Sequence, residues 1–156
     1  MDYDLTRRVL EALHQHKVAY KVFGAVALNL HGLARATEDL ALFIAPDADN
    51  IARLRSALHA VFADPCIDEI RAEDLLGEYP AVQYAPPDEG FHIDILTRLG
   101  ERFDYAGLEA ETVDFDGVPV TIVTARTLYE MKKDTVRAKD RGDAEALARR
   151  FKLEDR

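Results

Sequence analysis

Two aspartates and one glycine have the types and surroundings most suited to chemistry in this chain. Asp39 begins the alternating segment DLALFIA, and Asp94 lies in the apolar segment FHIDI. A carboxylate among apolar strand neighbours needs a hydrogen-bonding partner or a metal ion, and hard cations prefer oxygen ligands. Gly24 separates the segments VAYKVF and AVALNLHG. A glycine at such a junction lets the backbone approach a ligand closely, and the helix behind it offers N–H groups to a phosphate.

The elements that must position these residues follow from hydrophobic periodicity. We predict a strand over 18–23, a helix over 25–32 ending at Gly32, a strand over 39–45 and a strand over 91–96. Alternate residues of a strand share a face. Asp39, Ala41 and Phe43 are therefore expected on one face of their strand, and Glu38, Leu40 and Leu42 on the other.

The rest of the chain is predicted to form helices, a short strand and a hairpin. Residues 4–16 and 50–62 have helical spacing, the second with Asp47 or Asp49 as its cap. A short helix is predicted near RAEDLLGE and a short strand over 81–84. The Asp116-Gly117 pair between two apolar runs predicts a hairpin of 112–115 with 118–123. Thr124 is expected to cap a helix to Arg137, and a last helix covers 140–151.

This order of elements predicts one α/β (α+β) domain over residues 1–156, with a mixed sheet flanked by helices. Its core is expected at 18–123, followed by C-terminal helices at 124–151. The 156 residues carry a net charge of −9, so a uniformly basic nucleic-acid-binding surface is not expected, although basic residues cluster in the C-terminal third. The single cysteine, Cys66, excludes an intrachain disulfide. No signal peptide or membrane span is predicted, and we expect a cytoplasmic protein with no membrane partner.

Together these residues resemble the nucleotidyltransferase superfamily. The resemblance is carried by Gly24 with its helix, by Arg35-x-Thr37-x-Asp39-Leu40, and by the isolated Asp94 in a later strand. It covers residues 18–96 and extends more loosely to 124–147, and it is closest to the small bacterial proteins related to the AbiEii and MenT toxins.

The resemblance implies the role of each site residue. Carboxylates in this superfamily hold Mg²⁺, which binds the triphosphate of an NTP and activates an acceptor hydroxyl. Asp39 would be the first metal ligand, and Asp94 the third ligand and a base or orienting group. The residues implied in phosphate or nucleotide binding are Gly24, Ala25, Arg35 and Thr37, with Lys132 as a further charge-neutralising residue on the catalytic side.

One departure from the superfamily pattern bears directly on activity. The second acid is expected at position 41, where this chain has Ala41. Glu38 is not a substitute, because it is predicted on the opposite face. Ala25 also replaces a more usual serine or glycine. Ala41 is either a natural feature of a weakened relative or a replacement that silences an enzyme.

Three hypotheses follow for the function. The first is a Mg²⁺-dependent transfer of a nucleotide from an NTP to an RNA (such as tRNA) or protein acceptor, in the toxin of a toxin–antitoxin pair with a cognate antitoxin as partner. The second is a non-catalytic nucleotide-binding protein of the same fold, and the third is a partner-binding module without ligand. We interpret His31 and His92 as hydrogen-bonded residues rather than metal ligands.

Overall fold

A six-stranded mixed sheet organises the protein. The computed structural model describes residues 2–36, 39–77, 80–135 and 137–153. The helices are α1 (Tyr3–Gln15), α2 (Gly24–Leu30), α3 (Ala48–Val61), α4 (Ala72–Leu75), α5 (Ala125–Lys132) and α6 (Ala138–Phe151), with a 3-10 turn at Pro65–Glu69. The strands are β1 (Tyr20–Phe23), β2 (Asp39–Ile44), β3 (Ala81–Tyr84), β4 (His92–Leu96), β5 (Arg98–Leu99), β6 (Phe103–Asp104), β7 (Ala110–Phe115) and β8 (Val118–Val123).

The strand order in the large sheet is β3-β4-β2-β1-β8-β7, and β5 and β6 form a separate two-stranded ribbon. The β1–β8 and β2–β4 pairs are parallel, whereas β1–β2, β3–β4 and β7–β8 are antiparallel. The adjacent strands β4, β2 and β1 therefore place the chain segments around Asp94, Asp39 and Gly24 beside each other. The mixed α+β architecture predicted from the sequence is confirmed.

The core lies between this sheet and the helices packed on it. In β2 the side chains of Leu40, Leu42, Phe43 and Ile44 are completely buried. Helix α1 packs against α3 and β8, and α2 packs against β1 and β2. The carboxylate of Asp2 caps α1 by accepting a hydrogen bond from the backbone N–H of Leu5. Helix α2 thus covers both strands that lead to the segments around Gly24 and Asp39.

The hairpin predicted at Asp116-Gly117 is present between β7 and β8. Both turn residues have positive φ, 50° for Asp116 and 88° for Gly117. Such angles characterise the tight turns whose twist matches that of the flanking strands. Because β8 also pairs with β1, the hairpin supports the strand that leads into Gly24.

The C-terminal region differs from the prediction at one point. The helix capped by Thr124 ends at Lys132, and α6 begins at Ala138, whereas one helix was predicted to continue to Arg137. Thr135 donates a hydrogen bond from Oγ1 to the carboxylate of Asp140 at 3.2 Å. Such local side-chain bonds compete with helix formation. The break lets α6 turn back and pack against α5. The β5–β6 ribbon was not predicted.

Candidate functional site

A cleft of about 1070 Å³ lies over the ends of the central strands. Its lining includes almost every residue singled out from the sequence: Gly24, Ala25, Arg35, Asp39, Ala41, Asp94 and Lys132. Thr37 and Glu38 lie outside the described residues. The tertiary structure thus brings together side chains that are up to 108 positions apart (132 − 24) in the sequence.

One wall of the cleft is a face of three adjacent strands. In the β2–β4 pair Asp39 is opposite His92 and Ala41 is opposite Asp94, and in the β3–β4 pair Gln83 is opposite Asp94. All five residues line the cleft. Ala41 therefore stands beside both carboxylates, which is where a third acid would join them.

Each of the two carboxylates is hydrogen-bonded by its cross-strand neighbour. Nδ1 of His92 lies 2.7 Å from Oδ1 of Asp39, and Nε2 of Gln83 donates to Oδ1 of Asp94 at 3.2 Å. Burial raises the pKa of Asp94 above its ordinary value, and the nearby charge of Asp39 raises it further. The hydrogen bond from Gln83 and the charge of His92 oppose this rise in the pKa of Asp94.

Gly24 brings the backbone close to position 41. Its φ is +71°, a left-handed conformation that favours glycine. A Cβ atom at Gly24 would lie 3.2 Å from Cβ of Ala41, which is tighter than most side-chain contacts. The glycine therefore permits both the turn from β1 into α2 and the close approach of that turn to β2.

The opposite wall of the cleft is an ion-pair network from α5 and α6. Nζ of Lys132 lies 3.2 Å from Oδ1 of Asp140 and 3.1 Å from Oδ2 of Asp143, and all three side chains are 14% exposed. Nε of Arg35 lies 3.9 Å from Oδ1 of Asp143. Lys132 thus lines the cleft and also joins α5 to α6.

The donor set of the cleft suits a hard cation only in part. Within the described part of the chain, no group of three or more histidine, cysteine, aspartate or glutamate side chains is arranged to hold a metal ion. Asp39 and Asp94 supply two carboxylates on adjacent strands. Because Mg²⁺ is commonly bound through one or two carboxylates together with substrate phosphates, the pair fits one such ion held jointly with a nucleotide.

Two residues of the cleft wall were not recognised from the sequence as parts of the site. His92 was interpreted only as a hydrogen-bonded histidine, and Gln83 was not considered. His92 does make a hydrogen bond, but its partner is Asp39 itself. A signal was available, because His92 precedes Asp94 by two positions and strand alternation places both on one face. His31 makes a structural contact instead, with Nε2 at 2.8 Å from the carbonyl oxygen of Val123.

Comparison with solved structures identifies the architecture. A candidate nucleotidyltransferase of Thermotoga maritima superposes with a TM-score of 0.56 at 13% identity, covering 96% of this chain and 91% of that one. The chain has the nucleotidyltransferase fold. The same fold relates it to the antibiotic-resistance factor ANT(2'')-Ia, with a TM-score of 0.59 at 12% identity over 96% of this chain and 83% of the other. A nucleotidyltransferase-like antigen of Paracoccidioides brasiliensis gives a TM-score of 0.54 at 17% identity, over 95% and 76% of the two chains.

These likenesses concern the nucleotidyltransferase fold, at identities too low to carry more than the architecture. No family model matches this sequence, and no curated protein matches it at a significant level. Across the part of the chain that the structure describes, every helix is too short or too polar to traverse a lipid bilayer.

Proposed function

We propose that this protein binds an NTP in the cleft and that its architecture serves nucleotidyl transfer, with this form of the chain weakened by Ala41. The observation that carries the proposal is the meeting of Asp39 and Asp94 with Gly24 and Lys132 in one cleft of a nucleotidyltransferase fold. The fold by itself hosts many functions, so it is these cleft residues that argue for nucleotide chemistry.

Each residue has a role that its position supports. The turn at Gly24 and Ala25 lets the triphosphate approach the backbone beside β2, and Arg35 and Lys132 offset its negative charge from the opposite side. The proposed reaction forms a bond between an acceptor hydroxyl oxygen and the α-phosphorus, and breaks the bond from that phosphorus to the bridging oxygen of the leaving pyrophosphate. Asp94 accepts the proton of the attacking hydroxyl or orients that hydroxyl toward the α-phosphorus.

We propose Asp39 and Asp94 as the residues that hold a Mg²⁺ ion. When bound, this ion would neutralise phosphate charge and favour ionisation of the acceptor hydroxyl. Ala41 has no carboxylate, so the cation has one protein ligand fewer than an acid at this position would give it. This should reduce the affinity of the site for the cation and the rate of nucleotidyl transfer.

The proposed acceptor is an RNA, such as tRNA, or a protein, and the proposed setting is the toxin of a toxin–antitoxin pair with a cognate antitoxin. This finer assignment rests on the resemblance of Gly24, Arg35-x-Thr37-x-Asp39 and Asp94 to AbiEii- and MenT-related proteins. A small-molecule hydroxyl is a further acceptor to test, because ANT(2'')-Ia has been crystallised with adenylyl-2''-tobramycin.

A second candidate function follows from Ala41 itself. With two carboxylates in place of three, the cleft can hold a nucleotide without turning it over. In that case the protein is a nucleotide-binding or partner-binding member of the same fold. Binding of labelled NTP without transfer is the result that would distinguish it.

The deciding experiment compares the chain with its Ala41→Asp variant. Each protein is incubated with Mg²⁺, each labelled NTP in turn, and total bacterial RNA, the protein itself or an aminoglycoside. Ala41→Asn serves as the matched control, because it adds the same volume without the charge. Thr112→Asp adds an acid to an exposed strand position of β7, outside the cleft lining.

We expect Ala41→Asp to label an acceptor at a rate at least about 100-fold above the unaltered chain, with both control variants remaining at the level of the unaltered chain. Absence of labelling and of NTP binding in every variant, with all of them folded, would refute nucleotidyl transfer. Binding of NTP by a folded Ala41→Asp protein that labels no acceptor would instead favour the nucleotide-binding role.

A further inference from the structure

Both carboxylates of the cleft receive a hydrogen bond from the residue directly opposite on the next strand. His92 is the register partner of Asp39, and Gln83 is the register partner of Asp94. The contact distances are 2.7 Å for Nδ1 of His92 to Oδ1 of Asp39 and 3.2 Å for Nε2 of Gln83 to Oδ1 of Asp94. The same arrangement thus occurs twice on adjacent strand pairs.

In both contacts the carboxylate accepts the hydrogen bond and the residue on the next strand donates it. An ionised carboxylate only accepts hydrogen bonds, so His92 must carry a proton on Nδ1 and Gln83 must present its amide nitrogen. Cross-strand partners lie about 5 Å apart, which brings a short polar side chain within reach of its neighbour. Because both donors are carried by strands of the central sheet, they restrict the rotation of the carboxylates about their side-chain bonds.

We propose that His92 and Gln83 are positioning residues that orient Asp39 and Asp94 toward a divalent cation in the cleft. This inference rests on the proposed function for the cation itself. Hydrogen-bonding partners of metal-binding side chains fix the orientation of those side chains, and their loss typically lowers metal affinity by about 10- to 100-fold. The effect matters more in this chain, because Ala41 contributes no ligand and the two remaining carboxylates must be well placed.

The His92–Asp39 pair is exposed, and this allows a positioning role to be distinguished from a role in folding stability. The side chains of His92 and Asp39 are 40% and 49% exposed. Exposed pairs of this kind contribute little to folding stability. A substitution of His92 should therefore leave the protein folded and change its affinity for the cation.

The chain provides a matched control in a second histidine–aspartate contact. Nε2 of His59 lies 2.8 Å from Oδ1 of Asp68, and neither residue lines the cleft. His59→Phe removes a histidine–aspartate contact of nearly the same length without touching the proposed site. The conservative variant His92→Asn retains a nitrogen donor close to the position of Nδ1.

The test measures Mn²⁺ binding, as a spectroscopic substitute for Mg²⁺, with and without a non-hydrolysable NTP analogue, by electron paramagnetic resonance and isothermal titration calorimetry. His92→Phe, His92→Asn, Gln83→Leu and His59→Phe are each made in the unaltered chain and in the Ala41→Asp variant. Thermal denaturation accompanies every titration to show that each protein is folded. None of these readouts requires transfer activity.

We expect His92→Phe and Gln83→Leu each to weaken Mn²⁺ binding by about 10- to 100-fold, with His92→Asn within about threefold of its parent and His59→Phe unchanged. Equal affinity of His92→Phe, Gln83→Leu and their parents would overturn the positioning role and leave the proposed function standing. Failure of both parents, including Ala41→Asp, to bind Mn²⁺ would overturn the cation site and with it this inference.

Discussion

The side chain at position 41 determines how many carboxylates share one face of the cleft. Ala41 lies directly across from Asp94 and next but one to Asp39 in the same strand. A carboxylate there would place three like charges on one face, each raising the cost of ionising the others. Such a cluster needs a cation among the carboxylates or a proton on one of them. Ala41 relieves this repulsion and removes a ligand at the same time.

The raised pKa of Asp94 predicts a pH-dependent stability. The folded protein protonates Asp94 at a higher pH than the unfolded chain, whose value is near 3.8. Between these two pKa values the unfolded state binds fewer protons, so stability falls as the pH rises through this range. Asp94→Asn removes the penalty and can still accept the hydrogen bond from Gln83. We expect this variant to be more stable than the parent at pH 7, with the difference shrinking as the pH falls toward 3.8.

Thermal denaturation between pH 4 and 7 measures this difference. Glu111→Gln is the control, since Glu111 is an exposed acid of β7 outside the cleft lining. It should show no pH-dependent gain. Two results would contradict the burial of an ionised carboxylate at this position. One is a stability difference between Asp94→Asn and its parent that does not change with pH. The other is an Asp94→Asn variant that is less stable than its parent at pH 7.

At the scale of elements, the β7–β8 hairpin supports the strand that carries the cleft glycine. β8 pairs with β1 through Val22 and Ile122, and β1 continues into Gly24. The hairpin depends on its turn, where Gly117 has a φ of 88°. The turn therefore depends on a backbone conformation that glycine adopts easily. Substitution of Gly117 measures how much this conformation contributes to stability.

Gly117→Ala should destabilise the protein by about 1–2 kcal/mol, since a residue with a Cβ atom is disfavoured at positive φ. Steric crowding adds little, because the nearest atom to the added Cβ is Nη2 of Arg7 at 3.9 Å. The matched variant is Gly142→Ala in α6, where an added Cβ has no contact within 4 Å apart from its chain neighbours and the backbone of its own helix. It should stabilise the protein by about 1 kcal/mol through helix propensity.

Chemical denaturation measures the free energy of unfolding of both variants. It should fall in Gly117→Ala and rise in Gly142→Ala. On heating, 1 kcal/mol corresponds to roughly 2–4 °C in Tm for a chain of this length. Destabilisation by both variants would show that α6 does not tolerate a side chain at position 142. No effect of Gly117→Ala would show that the turn adopts another conformation.

At the scale of the whole molecule, α6 lines one side of the cleft and is bonded to distant parts of the chain. Lys132 of α5 contacts Asp140 and Asp143 of α6, and Nε of Arg150 donates to the carbonyl oxygen of His31 beyond α2. The C-terminal helix is thus bonded to segments from both halves of the chain. We propose that residues 1–156 form one cooperative domain, as the order of elements predicts.

Lys132→Met tests this bonding. It leaves two largely buried carboxylates without their nearest cation, while Arg137 remains 3.4 Å from Asp140 and Arg35 remains 3.9 Å from Asp143. Because part of the charge stays compensated, we expect a loss of about 1–3 kcal/mol. Lys132→Met combined with Asp143→Asn should recover part of the loss. The exposed cleft residue Lys139 provides the control, and Lys139→Met should change stability by less than about 0.5 kcal/mol.

Denaturant unfolding followed by far-ultraviolet circular dichroism and by tyrosine fluorescence measures these effects. Coincident transitions in all variants are expected for a single domain. A separate early transition for α6 in the unaltered chain would contradict one cooperative domain. Equal losses from Lys132→Met and Lys139→Met would show that the ion-pair network does not hold the two helices together.

Much of the fold could be predicted from the sequence because periodicity and turn residues act locally. The alternation in DLALFIA indicates a strand with Asp39 and Ala41 on one face, and Asp116-Gly117 indicates a hairpin turn. The end of α5 at Lys132 could not be predicted in this way. Beyond this end Thr135 bonds to Asp140 and α6 packs back on α5, and neither contact leaves a periodic signal in the sequence.

By itself the sequence determined the residue types available for chemistry, the strands that carry Asp39 and Asp94, and the missing acid at position 41. Only the tertiary structure decided which neighbours those carboxylates have. His92 is 53 positions from Asp39 (92 − 39), and the two meet because β2 and β4 pair in a register set by the packing of the whole sheet. Registers between distant strands depend on burial across the whole domain, whereas a strand's own alternation depends only on its local sequence.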